Sequence, residues 1–303
     1  MLYEQFVQET EKIIRQKVGD QYKVYIHVAT KNNGLIRKGI TISEKGINVS
    51  PTIYLEEFYD RFLECGDIGV IAEQIIDLYH HVRVEESWQC DFVTSFEGVK
   101  DRIVLRLINR DSNRKLLEDV PYFPFMDLAI VFHVLIEMDT YGDHMATMLI
   151  RNEHMEIWDV TVQDLYLHGI KNSERLLPSQ VSGMCRLLNY YLEDEDPIGD
   201  EDELMYVLTN QKRTFGAATI LYKDQLKKIG MLLQDSFYIL PSSVHEVIVV
   251  PARKSVDEER LKEIVFEINH TQVAEDEILS DNIYFYDYDS EKKESHKGDS
   301  LRL

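Results

Sequence analysis

Leu128-Ala-Ile-Val-Phe-His-Val-Leu-Ile136 is the stretch on which the fold turns. It is too short for a bilayer span, which takes about twenty residues. It is also too apolar for a strand with one wet face, so it predicts a central strand covered on both sides. Upstream, Ile103–Ile108 reads as a second strand, and Pro121 and Pro124, interleaved with Tyr122, Phe123 and Phe125, break any helix there. Downstream, His144–Arg151 is a strand candidate. Asp159 or Thr161 then starts a helix that runs to about Lys171 and halts before Pro178.

The last hundred residues keep the alternation. Leu204–Thr209 predicts a strand, Ala217–Leu221 a strand or close-packed bridge, and Lys223–Leu233 a helix. Phe237–Leu240 and Glu246–Val250 predict strands on either side of Pro241-Ser242-Ser243. A helix over Val256–Asn269 sets Leu261, Ile264, Val265 and Ile268 on one stripe, and Ile283–Tyr288 closes the sheet. Strands interleaved with amphipathic helices make the class α+β, with α/β as the alternative, and place a mixed sheet over residues 100–288.

Residues 1–92 read differently, as a small helix–hairpin–helix unit packed on that domain. Leu2, Phe6 and Ile13 share a helical stripe that ends at Gly19. Tyr22–Thr30 alternates as a strand, and Asn32-Asn33-Gly34 supplies turn residues that tolerate positive φ, which predicts a hairpin into Leu35–Ile42. Gly46–Val49 is a candidate third strand. Two helices follow, over about Thr52–Glu64 and over Ile68–Glu86, the second burying Val70, Ile71, Gln74, Ile75 and Leu78. The segment 193–203 crowds eight acids into eleven positions and predicts an exposed loop. The charged tail 289–303 is expected to fray.

Composition narrows the function classes. The 303 residues carry 33 basic and 54 acidic side chains, a formal charge of −21. Such a chain repels phosphate backbones, so nucleic acid is an unfavourable partner. Arg102, Arg106, Arg110 and Arg114, four apart, read as a solvated face, with an anion-binding patch as the alternative. Cys65, Cys90 and Cys185 are sparse and form no C-x-x-C pair, which suits a reducing compartment. With no secretory pattern and no apolar run of spanning length, the expectation is a cytoplasmic protein away from the membrane.

Three sets of side chains are candidates for chemistry. Ser242-Ser243-Val244-His245-Glu246 brings hydroxyl, imidazole and carboxylate within five residues. Catalysis by Ser243 would need His245 within hydrogen-bond reach and Glu246 or another acid behind it. On a strand, however, Glu246 points away from the other two. A serine-stabilised turn after Pro241 is the plainer reading. Asn210, Arg213 and Gly216, in the polar connection Thr209–Gly216, are candidates for binding an anion through backbone N–H groups, with Ser242 as a further ligand contact. The histidines and acids at His133, Glu137, Asp143, His144, His154 and Glu156 lack metal-site spacing, so no metal and no cofactor is expected.

Two blocks carry a resemblance. Ile150-Arg-Asn-Glu-His-Met-Glu-Ile-Trp158-Asp-Val-Thr161, with Asn172-Ser173 and Leu177-Pro178, is one. The other runs from Tyr206-Val-Leu-Thr-Asn210 through Phe215-Gly216-Ala217 and Ile220-Leu-Tyr222 to Leu240-Pro-Ser-Ser-Val-His245-Glu246. Over roughly residues 20–285 the chain resembles an uncharacterised domain-of-unknown-function family of anaerobic Firmicutes. More distantly, its order of elements, including the Lys38-Gly39-Ile40-Thr41 strand, is similar to the YtpQ-like proteins. The resemblance implies an architecture and a cytoplasmic bacterial setting, and no activity. The resulting expectation is a non-enzymatic module that binds a ligand or a protein or peptide partner. A hydrolase built on Ser243 and His245, and an anion or nucleotide binder built on Arg213, are the alternatives.

Overall fold

Apolar spacing sets the elements of the first unit, and tertiary contacts choose which face each one buries. The computed structural model describes residues 1–47, 50–83, 91–138, 145–184, 204–252 and 257–288. The chain divides into two units, Met1–Asp91 and Phe92–Leu303. In the first, α1 (Tyr3–Val18) buries Phe6, Val7 and Ile14. The strands β1 (Tyr22–Thr30) and β2 (Ile36–Glu44) pair antiparallel from Tyr22↔Glu44 to Thr30↔Ile36. The predicted turn joins them, with Asn33 and Gly34 at φ 60° and 72°.

The third strand is β3 (Thr52–Tyr54), and helix α2 (Glu56–Cys65) begins only after it. This corrects the expectation of a helix from Thr52. The β-branched pair Thr52-Ile53 extends against β2, and Gly39 makes room for it, since a Cβ there would meet Thr52 Cγ2 at 2.3 Å. Of the strand proposed at 46–49, residues 48 and 49 lie outside the described residues. Helix α3 (Ile68–Val82) starts at Asp67, whose carboxylate accepts from the Gly69 and Val70 amides. It buries Ile71, Ala72, Ile75 and Tyr79, whereas Val70, Gln74 and Leu78 face solvent. The helix is apolar on more than one stripe, so packing against Phe6, Ile14 and Ile40, not periodicity, selects the buried one.

The second unit opens with α4 (Phe96–Val99), β4 (Ile103–Asn109), α5 (Arg114–Leu117), β5 (Tyr122–Phe125), β6 (Leu128–Met138) and β7 (Met145–Leu149). Strand β6 is central, as its sequence predicts. It has β4 along one edge and β5 and β7 along the other. Its alternate residues serve different layers. Leu128, Ile130, Phe132 and Val134 join the main core. Ala129 and Val131 pack with Ile108, Leu117 and Val120, and Leu135 packs with Val104 and Leu177.

Helices α6 (Asn152–Trp158) and α7 (Val162–Leu176) follow, the latter capped by Thr161 and Asp164 in a reciprocal box. The short α6 carries Trp158, which donates to Val93 O at 3.0 Å. Strands β8 (Ser179–Gly183), β9 (Tyr206–Asn210), β10 (Phe237–Leu240), β11 (Val247–Pro251) and β12 (Tyr284–Tyr286) form a second sheet in the order β12-β10-β11-β9-β8. It is accompanied by α8 (Gln225–Leu233) and α9 (Glu258–Thr271). Residues 217–221, proposed as a strand, form part of a 3-10 turn over Gly216–Leu221. In α9 the buried positions are Leu261, Val265 and Asn269, and Ile264 and Ile268 stay exposed.

The class is α+β. The second unit holds two sheets, and neither is mixed: among the described residues every strand pairing is antiparallel. A parallel neighbour needs a crossover of a dozen or more residues, whereas β5 and β6 are joined through Met126 and Asp127 alone. The acidic segment 193–203 and the tail 289–303 lie outside the described residues. Among the described residues no helix is long and apolar enough to cross a membrane.

Candidate functional site

Strand β4 reads Ile-Val-Leu-Arg-Leu-Ile from Ile103, so one guanidinium is built into an apolar strand. Arg106 pairs with Val131, and Val104 pairs with His133. Arg106 and His133 are therefore diagonal neighbours on the face of β4–β6 opposite the main core. Phe215 reaches both. Its ring centroid lies 4.8 Å from the Arg106 guanidinium and 4.9 Å from the His133 ring, and it stacks at 6.4 Å on His245.

The loop after β9 holds that ring in place by local means. Arg213 and Phe215 both occupy the left-handed region, at φ 49° and 57°, which costs a non-glycine residue about 1–2 kcal/mol. Asn210 is fully buried. It donates from Nδ2 to Thr214 O at 2.8 Å and accepts the Lys212 amide on Oδ1 at 3.0 Å. The Gln211 amide goes to Pro178 O, the Arg213 amide to Asn210 O and the Phe215 amide to His245 Nδ1. The amides of Gln211, Lys212, Arg213 and Phe215 are thus each paired within the protein.

The turn after β10 touches this loop. Thr209 Oγ1 donates to His245 O at 2.7 Å, and the Ala217 amide donates to Val244 O at 3.3 Å. Gly216 lies in the seam, where a Cβ would stand 2.1 Å from Thr209 Oγ1 and 2.2 Å from His245 O. On the other side, the Val244 amide donates to Glu277 O, Leu279 to Ser242 O and Ser280 to Pro241 O, which brings residues 277–280 alongside.

Within that turn Ser242 and Ser243 are buried, and Ser243 Oγ accepts the His245 amide at 3.0 Å. The His245 ring faces Phe215 N through Nδ1 at 3.4 Å and Glu277 Oε1 through Nε2 at 3.5 Å. A neutral ring protonated on Nε2 satisfies both contacts. The relay Ser243–His245–Glu246 is not formed. The serine closes a turn, and the acid within 4.0 Å of the imidazole is Glu277, Glu246 acting on the ring from farther away.

Electrostatics distinguish Arg106 from an ordinary surface cation. Its Nε is sealed from solvent and has no hydrogen-bond partner. Among the described residues, its guanidinium makes no ion pair within 4.0 Å. The residue as a whole keeps partial exposure. Burial pulls the guanidinium down to about 10, against the opposing pull of Asp276 and Glu277. Burial, with Arg106 adding to it, holds His133 well below the ordinary imidazole range, while its Nδ1 lies 3.2 Å from Thr147 Oγ1. His245 is likewise pulled down by burial, with Glu277 opposing and Arg106 reinforcing.

The four arginines do not share a solvated face. Arg106 is enclosed as described, Arg102 stacks on Phe92 and donates to Ile136 O, and Arg114 pairs with Asp111. The scattered metal candidates do not converge either: His154 stacks on Trp158 and accepts the Arg151 amide, and Asp143 and His144 lie outside the described residues. Among the described residues no group of three His, Cys, Asp or Glu could hold a metal. A shallow recess of about 320 Å³ at Asn152, Met155, Glu156 and Thr161 contains none of the Arg106 cluster. Sequence reasoning missed Arg106 as an individual, Phe215 and Glu277. The one available signal was a lone arginine inside an otherwise apolar strand.

A model for a family of unknown function, DUF5688, matches residues 3–288. The chain belongs to that family. Arg106, His133, Phe215, His245 and Glu277 all lie inside the DUF5688 region. No curated protein and no solved structure matches the chain.

Proposed function

We propose that this DUF5688 chain is a binding module whose small-molecule ligand is taken at the cluster of Arg106, His133, Phe215 and His245. One observation carries the reading: Arg106, partly exposed as a residue, has a guanidinium Nε that is enclosed without a partner and lies against Phe215 where two turns meet. Unpaired buried donors are rare in folded proteins and each calls for a reason. Here the neighbouring loop also holds two non-glycine residues in costly backbone conformations. Ser243 spends its hydroxyl on a turn, so the cluster supports binding in preference to hydrolysis.

A thermal-shift screen of the full chain against a metabolite collection, followed by hydrogen exchange with any stabilising compound, tests the reading. The expected result is protection concentrated in residues 209–217, 242–246 and 276–279. No stabilising compound, or protection confined to other segments, overturns it. Ester turnover that disappears in Ser243→Ala would favour the hydrolase instead.

A further inference from the structure

Building on that binding-module reading, we infer that the ligand is a free α-amino acid, its carboxylate on the Arg106 guanidinium and its ammonium toward Glu277. Charge makes the selection. Arg106 is a fixed cation, and Glu277 and Asp276 lie close enough to act on it electrostatically. The two histidines of the cluster are less accessible, His133 buried and His245 partly so. A phosphate or a dicarboxylate would bring two or more negative charges to Arg106, on which Asp276 and Glu277 already act. A simple cation would meet Arg106. A zwitterion with both charges on one carbon complements both signs at once.

Geometry agrees. The guanidinium carbon lies 4.8 Å from the centre of the Phe215 ring, and a planar donor of this kind suits a carboxylate. Glu277 is reachable, with its side chain 45% exposed, and its Oε1 is oriented by His245 Nε2 at 3.5 Å. The His245 side chain is itself 31% exposed, so the cluster is open to solvent on this side.

The test is calorimetric titration of the full chain with the common L-amino acids. Parallel arms use acetate, methylammonium, inorganic phosphate and a dipeptide with free termini. At least one amino acid is expected to bind saturably, and acetate and methylammonium, each lacking one charge, at least about tenfold more weakly. Arg106→Met should weaken binding at least about tenfold, Arg106→Lys less, and Glu277→Gln several-fold with the urea midpoint unchanged. Glu277→Gln and Arg106→Lys decide the question if Arg106→Met fails to fold.

Acetate or phosphate binding as tightly as any amino acid overturns the inference, as does amino-acid affinity indifferent to Arg106 and Glu277. A dipeptide that binds more tightly than any amino acid transfers the carboxylate to a polypeptide terminus and overturns it too. Amino acids failing while another metabolite protects residues 209–217 sinks this inference alone. Failure of every compound sinks the binding reading beneath it.

Discussion

Gly216→Ala tests whether the two turns are locked together as described. The added methyl would stand 2.1 Å from Thr209 Oγ1, 2.2 Å from His245 O and 3.0 Å from the Asn210 amide. The threonine can rotate away, but the carbonyl and the amide are backbone and cannot. Overpacking of this kind costs about 1–3 kcal/mol. Pushing the strands apart also breaks the Thr209–His245 hydrogen bond of 2.7 Å, a further loss of about 1 kcal/mol. The expected total is about 2–4 kcal/mol. The assay is urea unfolding followed by Trp158 fluorescence in a Trp88→Phe background, so that the signal comes from the second unit. Gly169→Ala is the control: its methyl would press on the flexible end of Leu105, at 2.6 Å, and make ordinary contact with Ile103 Cγ2 at 3.6 Å, and it gains helix propensity, so its cost should stay within about 1 kcal/mol. A Gly216→Ala protein within about 0.5 kcal/mol of wild type, or no worse than Gly169→Ala, would refute the reasoning. Thr209→Ala combined with Gly216→Ala should recover little, because His245 O still blocks the methyl.

Stability should also fall as pH drops below the unfolded imidazole value of about 6.5. His133 and His245 both have lowered values in the fold, so the unfolded chain takes up more protons in that window and stability is lost toward acid; His133→Phe should flatten the slope of urea midpoint against pH. Asp127 accepts from Ser280 Oγ and Tyr284 OH, both at 2.6 Å, and from Asn282 Nδ2 at 3.0 Å. Asp127→Ala should cost about 1–3 kcal/mol and speed amide exchange at residues 284–286, where an unchanged exchange rate would contradict the bracing role. Ser173→Ala leaves the buried Leu105 amide without its 2.9 Å acceptor and should lower the urea midpoint by the equivalent of about 1–3 kcal/mol.

What the sequence made legible was local. The hairpin at Asn32-Asn33-Gly34, the central run Leu128–Ile136 and the strand over Phe237–Leu240 each carry their own signal in turn chemistry or alternation. Hidden from it was whatever depends on a distant partner. The apolar run of β6 predicts a strand covered on both sides, but not what covers the second face. That face is covered by the short stretch Leu117–Val120, by Leu177 and by Phe215, from three separate segments. The same limit governs the site. Ser243, His245 and Glu246 are close in sequence, yet the ring pairs with Glu277, which a later loop delivers. Asn210 was visible as a turn residue, but not the fact that its amide would be consumed holding Phe215 in place.

Arg106 itself separates a packing role from a binding role. Methionine at this position would keep the aliphatic contacts of the strand while removing a charge and an Nε that has no acceptor. Enclosing such a donor costs about 1–3 kcal/mol, and the guanidinium recovers part of that from the Phe215 face, about 0.5–2 kcal/mol. Arg106→Met is therefore expected to be neutral or stabilising, by about 0–2 kcal/mol, in urea unfolding without ligand, and to abolish stabilisation by any compound that protects the cluster. Buried charges exchanged for apolar side chains behave this way when the charge serves something other than stability. A methionine variant destabilised by more than about 2 kcal/mol would show that the guanidinium is a structural fixture. The enclosed Nε would then no longer point to a ligand.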